Sequence, residues 1–226
     1  LLGAIPTYAS EKESGSYSHY ITVDNKKMHI VFYGELDENT KEFVNPEKTT
    51  LVMLPALGVP SPNIYFKPIA ENISLDFNVV IIEPFGYGLS DATFSTRTVD
   101  NINAEVNEAL EILDIQECVL LVHSISGVYG FNFVYSHPEK VKGFVAVDNT
   151  VYDEGLSEGM DMEQKYMLQE AKKFNDLRNS FSSVEEFQRA VSENPEKYGA
   201  MLPEVKGYEY TEEDRQEYIQ AFSRSN

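Results

Sequence analysis

Apolar and polar residues alternate along HYITVD (19–24) and MHIVFYGE (28–35), with Asn25-Lys26-Lys27 between the two runs. Alternation of period two on both sides of a short polar break predicts an antiparallel hairpin, here beginning near Tyr17. A polar loop follows from Asp37 to Lys48. Beyond it the pattern changes to short, nearly continuous apolar runs at Thr50 to Leu54, Asn78 to Glu83, Val119 to His123 and Gly143 to Asp148. Segments of helical period lie between them, near Ile64 to Asn72, Thr98 to Leu113 and Gly127 to Ser136. Strands that are apolar throughout and alternate with helices form parallel sheets covered on both faces. The expected fold class is therefore α/β: a mostly parallel sheet with an N-terminal antiparallel hairpin and helices on both faces. After Asp148 the apolar strands stop, and Tyr152 to Asn226 is acidic, tyrosine-rich and helical in period. Ser183-Val184-Glu185-Glu186 has capping-box spacing ahead of FQRAV, and Thr211-Glu212-Glu213-Asp214 opens a further helix with acids that suit the helix dipole.

One junction in this pattern carries chemistry. In CVLLVHSISG (118–127) an apolar strand runs directly into a serine flanked by small residues and then into a helix. A strand that turns abruptly into a helix holds such a serine in a strained backbone and exposes its hydroxyl at the helix N-terminus. The alternative for Ser124 is a capping serine, since serine is a preferred N-cap. The usual G-x-S-x-G reads here Val122-His123-Ser124-Ile125-Ser126, with Gly127 one place late. Downstream, GVYGFNFVYSHPEKVKGFVAVD gives one helix, a His137-Pro138 stop and another buried strand. Upstream stand LVMLPALG at 51–58 and NVVIIEPFGYGLSD at 78–91, in matching order. On these motifs the stretch from about 50 to 148 resembles the α/β-hydrolase family.

The resemblance implies a serine hydrolase that cleaves a carboxylic ester, or an amide or peptide, through an acyl-enzyme on Ser124. The oxyanion would be held by the N–H groups of Ile125 and Leu57, the latter on a loop where Pro55-Ala56 replaces the usual His-Gly. Asp148 ends the strand after the nucleophile helix, a place from which some relatives supply the triad acid; alternatively it caps the strand end and the acid lies further on. In the family the histidine follows near the C-terminus, yet no histidine follows His137 here. His123 points to the opposite face of its strand from the nucleophile, and His137 precedes a proline at a helix end, so neither suits the base. The resemblance thus divides the chain into a flexible segment (1–16), the N-terminal part of the hydrolase core (17–150) and a helical cap (151–226), with the C-terminal core strands not present and the catalytic His expected beyond Asn226. The 226-residue chain by itself is then expected to be inactive. Peptidase, lactonase and carbon–carbon hydrolase chemistry also occur in the family, and an acidic cap favours a substrate bearing a free amine. The cap tyrosines at 152, 166, 198, 208, 210 and 218 could line an acyl pocket, although helix-packing filler is the preferred reading. The competing class is a non-catalytic relative whose pocket holds a ligand or a partner.

Composition narrows the field further. With 18 Lys and Arg against 37 Asp and Glu, a net charge of -19 disfavours nucleic acid and anionic membranes. The single cysteine, Cys118, begins a buried strand and reads as core rather than reactive. No run of apolar residues is long enough to span a membrane. The opening LLGAIPTYASEKESGSYSHY suits equally the end of an anchor or signal peptide, which would put the domain outside the cell, and an ordinary frayed terminus. No metal is expected, because His19 and His29 on the hairpin lack ligand spacing and the acidic run Asp153 to Glu163 lacks the pattern of a calcium loop. Nor is a cofactor called for: Gly86-Tyr87-Gly88 lacks the third glycine of a dinucleotide fingerprint, and ester cleavage needs only side chains and water. Asp91 is expected to fix its own loop.

Overall fold

The computed structural model describes residues 15–150, 169 and 172–224. The chain enters through β1 (Gly15–Val23) and β2 (Lys26–Gly34), paired antiparallel with Val23 opposite Lys26. The connection is Asp24-Asn25, both at positive φ, 45° and 57°. A two-residue hairpin turn needs two left-handed residues, and Asp and Asn tolerate that region better than most. The turn is therefore one residue earlier than the polar run suggests, and Lys26 already belongs to β2.

Strands β3 (Thr50–Leu54), β4 (Asn78–Ile82), β5 (Cys118–His123) and β6 (Val141–Val147) fall where the apolar runs predict them. They join the hairpin in one six-stranded sheet of order β1-β2-β4-β3-β5-β6. β2 runs antiparallel to β4, and from β4 outward the pairs are parallel. Every residue of β4 is buried, as expected of a strand covered on both sides. Helix α1 (Pro62–Ile73) covers one face, where Phe66 and Ala70 meet Val31, Leu51, Met53, Val79 and Ile81. Helices α2 (Val99–Ile112) and α3 (Ser126–Ser136) cover the other, placing Ile102, Val106, Ala109 and Phe133 on Ile30, Val52, Val80 and Leu120. Ser61 and Thr98 cap α1 and α2 by accepting the Ile64 and Asn101 N–H groups at 3.3 and 3.2 Å. Asp91 does more than fix its own loop: its carboxylate accepts the Lys27 N–H at 2.8 Å and so ties the loop after β4 to the hairpin. Cys118 is buried, and desolvation pushes its thiol up to about 11, as befits a core residue.

The C-terminal part is helical: α4 (172–179), α5 (Val184–Glu193), α6 (Pro195–Tyr198) and α7 (Glu212–Arg224). Ser183 accepts the Glu186 N–H at 3.2 Å as its spacing predicts, while the Glu186 carboxylate reaches back to Ser182 instead of Ser183. At α7 the box is reciprocal, with Asp214 N–H on Thr211 Oγ1 at 3.2 Å and Thr211 N–H on the Asp214 carboxylate at 2.9 Å. These helices pack on α1 through one apolar cluster, in which Ile64 meets Phe187, Val191, Tyr218, Ile219 and Phe222. Tyr198 joins that cluster, while Tyr208 and Tyr210, in the loop before α7, donate to Glu71 and to the Ile64 carbonyl and so tie that loop to α1. Tyr152, Tyr166 and the acidic run 153–163 lie outside the described residues. Among the described residues no strand pairs with the outer edge of β6, where Val145 and Val147 are 43% and 44% exposed, and no helix is long and apolar enough to cross a membrane.

Candidate active site

The parallel strands end at one rim of the sheet, and the residues singled out from sequence meet there. β5 ends at His123, and Ser124 turns the chain with φ +54°, a left-handed conformation that costs an ordinary residue on the order of 1–3 kcal/mol. The neighbouring strand holds it there. Ser124 N–H donates to the Val147 carbonyl at 3.1 Å, and the Ser124 carbonyl accepts Thr150 N–H at 3.0 Å and Gly127 N–H at 2.9 Å. The cap of α3 is Ile125, with no side-chain capping bond, so Ser124 is not spent on the helix terminus.

Two close approaches seat the turn. A Cβ on Gly127 would lie 2.5 Å from the Asn149 side chain, and one on Gly130 would lie 2.7 Å from Phe144 and 2.9 Å from Val122. The glycines whose missing side chains leave room for Asn149, Phe144 and Val122 thus stand in the first turns of α3, at i and i+3, instead of flanking the serine. Val122 accordingly fits fully buried beneath Gly130. Ser126 Oγ donates to the Pro55 carbonyl, which fastens the turn to the loop after β3. On that loop Leu57 is half exposed beside Gly58 at φ +74°, and the half-buried phenol of Tyr87, pushed up to about 12 chiefly by desolvation, takes a backbone hydrogen bond from Gly58. Ile125 and Leu57 therefore stand on two segments that Ser126 and Pro55 hold together.

Asp148 follows β6 at φ +45° with its side chain exposed. Its charge reaches Tyr65 of α1, whose phenol is raised first by burial and then by Asp148. Tyr65 in turn stacks on His123, rings 5.5 Å apart and 11° from parallel, with Oη 3.2 Å from Nδ1. His123 therefore faces α1, as its place in the strand predicts, and is already engaged. Of the other three histidines, His29 pairs with Glu83 at 2.9 Å, His137 lies near Glu139 at 3.8 Å, and His19 stacks on Phe32 at 5.3 Å with its buried Nδ1 lacking a hydrogen-bond partner. The strand periodicity announced none of Tyr65, Asn149 or the Ser126–Pro55 bond; only the G-x-x-G spacing of Gly127 and Gly130 hinted at the close packing. Asn149 carries two buried side-chain polar atoms with no hydrogen-bond partner in the structure.

A family model described as alpha/beta hydrolase fold matches residues 49–200. Among curated proteins, the uncharacterized protein YbdG of Bacillus subtilis (strain 168) is 24% identical over 129 residues, which make up 57% of this chain and 36% of YbdG. The matched part is thus about a third of that relative's length. Among solved structures, Cfl2 from Burkholderia cenocepacia superposes with a TM-score of 0.61 at 19% identity, over 95% of this chain and 68% of Cfl2. An epoxide hydrolase from Bacillus megaterium, solved as a point mutant with its product, gives 0.59 at 19% identity over 92% and 68% of the two chains. The thioesterase domain from the curacin biosynthetic pathway gives 0.55 at 14% identity over 92% and 67%. At such identities these structures establish the fold.

Proposed function

The chain belongs to the α/β-hydrolase fold family, and from that premise we propose a serine hydrolase that cleaves a carboxylic ester, or an amide or peptide, through an acyl-enzyme on Ser124. The observation that carries this reading is the left-handed Ser124 between β5 and α3, clamped through its backbone by Val147 and Thr150 while its side chain leaves the helix uncapped. That arrangement suits a nucleophile. In the proposed reaction the Ser124 hydroxyl attacks the substrate carbonyl, the N–H groups of Ile125 and Leu57 receive the oxyanion, and the alcohol or amine departs to leave an acyl ester that water then hydrolyses. A serine hydroxyl needs a base to take its proton. His29 and His123 are hydrogen-bonded elsewhere, His137 lies at the far end of α3, and His19 stands on β1 at the opposite side of the sheet from β5, so the proposal draws that base from beyond residue 226 and keeps Asp148 as the candidate acid.

The test is labelling of the full-length protein, with the segment that supplies the base, by a fluorophosphonate followed by peptide mass mapping. The adduct is expected on Ser124 and is expected to vanish in Ser124→Ala, with turnover of small esters falling by three orders of magnitude or more, on the scale of a lost triad member. Unchanged ester turnover in Ser124→Ala would sink the assignment. One observation favours a second reading, a non-catalytic relative that binds a ligand: among the described residues no histidine is hydrogen-bonded to Ser124. That reading expects saturable binding of an ester or acid with neither adduct nor product.

A further inference from the structure

Helix α7 is fastened to α1 at a point where buried Glu83 and Asp214 and half-buried Glu217 gather. Asn63, in the first turn of α1, is buried and makes three bonds there: its N–H donates to the Glu83 carboxylate at 3.1 Å, its Oδ1 accepts Tyr33 Oη at 2.6 Å, and its Nδ2 donates to Glu217 Oε1 of α7 at 2.8 Å. Burial, with the Glu217 charge next, pushes the Tyr33 phenol far up, so Tyr33 is a fixed donor. That fixes the amide orientation of Asn63 and leaves Glu217 Oε1 as an acceptor only. Ser61 Oγ reaches the same oxygen at 3.5 Å, and Ser61 closes the loop that carries Leu57. A proton on Glu217 must therefore sit on its other oxygen. A polar cavity of about 300 Å³ between α7 and the hairpin, lined by Ser16, Tyr33, Lys67, Glu213, Asp214 and Glu217 among others, gives that oxygen a way to exchange it.

We propose that the docking of α7 on α1 is a proton-controlled latch, closed with Glu217 protonated and loosened when Glu217 ionises. The groups that face it define the balance. Glu83 at the end of β4 and Asp214 on α7 oppose a charge on Glu217, while His29 of β2 and the Asn63 bond favour one. Lys67 of α1 is taken up by Asp214 and lies near Glu71, which Tyr208 also holds. Desolvation outweighs the favourable contacts, and the carboxyl is held above the ordinary glutamate value of 4.5. A folded-state pKa that is raised means the docked form binds the proton more tightly. The contribution of Glu217 to docking is therefore complete below 4.5 and is lost as pH rises through the raised value.

The latch is tested on the whole 226-residue chain by amide hydrogen-exchange protection factors in α7, measured from about pH 5 to about pH 8. Protection of residues 218–223 is expected to fall with rising pH by up to about tenfold per unit within the titration window and then level off. Glu217→Gln should match the native chain at the acid end and stay protected at the alkaline end. Lys67→Met should lower protection at every pH without changing the profile. Parallel profiles for the native chain and Glu217→Gln would overturn the proposal. Should the variant fold poorly, a carbon-13 titration of the Glu217 carboxyl decides: a midpoint above the ordinary value that coincides with the opening of α7 supports the latch, and an ordinary midpoint overturns it.

Discussion

Two strands of this sheet run into an acid, and the two acids live in opposite surroundings. β4 leads into Glu83, which is fully buried and accepts His29 Nδ1 at 2.9 Å, Asn63 N–H at 3.1 Å and Leu89 N–H at 2.7 Å. β6 leads into Asp148, which is exposed and sits on a left-handed residue beside the Ser124 turn. A buried carboxylate whose lone pairs are taken by three different segments ties β2, α1 and the loop after β4 together. An exposed carboxylate on a strained residue contributes little to that framework and is free to face a substrate. The same residue class at the same topological position thus serves architecture in one place and is available to chemistry in the other, and saturation of its hydrogen bonds tells the two apart.

The contrast can be broken or sharpened by substitution. Glu83→Leu should be the most damaging, because three buried donors lose their acceptor at about 1 kcal/mol or more each; urea denaturation is expected to show a loss of at least about 3 kcal/mol, and a loss below 1 kcal/mol would demote Glu83 to filler. Ser126→Ala leaves the Pro55 carbonyl without its partner and should cost about 1–2 kcal/mol, read from the same curves. Ser124→Gly removes the penalty of φ +54° and should stabilise the fold by about 1 kcal/mol while erasing the fluorophosphonate adduct. A gain in stability paired with a loss of chemistry is the signature of strain held at a site. Asp148→Asn should be the mildest for the fold, shifting Tm by no more than about 1–2 °C. Its effect on ester turnover then separates two roles for that carboxylate: little change leaves the acid elsewhere, and a loss of several thousand-fold makes Asp148 the triad acid.

Much of this framework is legible in the residue pattern because its causes are local. Strand burial on both faces writes itself as apolar runs at β3, β4 and β5, and the Ser183 and Thr211 caps follow from spacing alone. The serine between strand and helix is legible for the same reason. What escapes is set by contacts between distant segments. Tyr65 and His123 are 58 positions apart, and Asn63 and Glu217 are 154 apart; nothing in a window of helical or strand period couples them. The hairpin turn was displaced by one residue because left-handed tolerance in Asp24 and Asn25 outweighs the polarity of Lys26. Glu83 carried a partial signal, a charge closing an otherwise apolar run, but its meaning as a knot depends on donors from β2, α1 and the loop at Leu89.

The fit of α3 against β5 and β6 has a consequence for how such a molecule can change. With Asn149 already filling the space where a side chain on residue 127 would stand, and Phe144 and Val122 filling that at residue 130, a single added methyl group must displace those side chains or the helix beside them. The helix therefore has little room for added bulk at these two positions, which lie close after the serine in sequence. Change beside the serine is accommodated more readily where side chains face solvent, as at half-exposed Leu57.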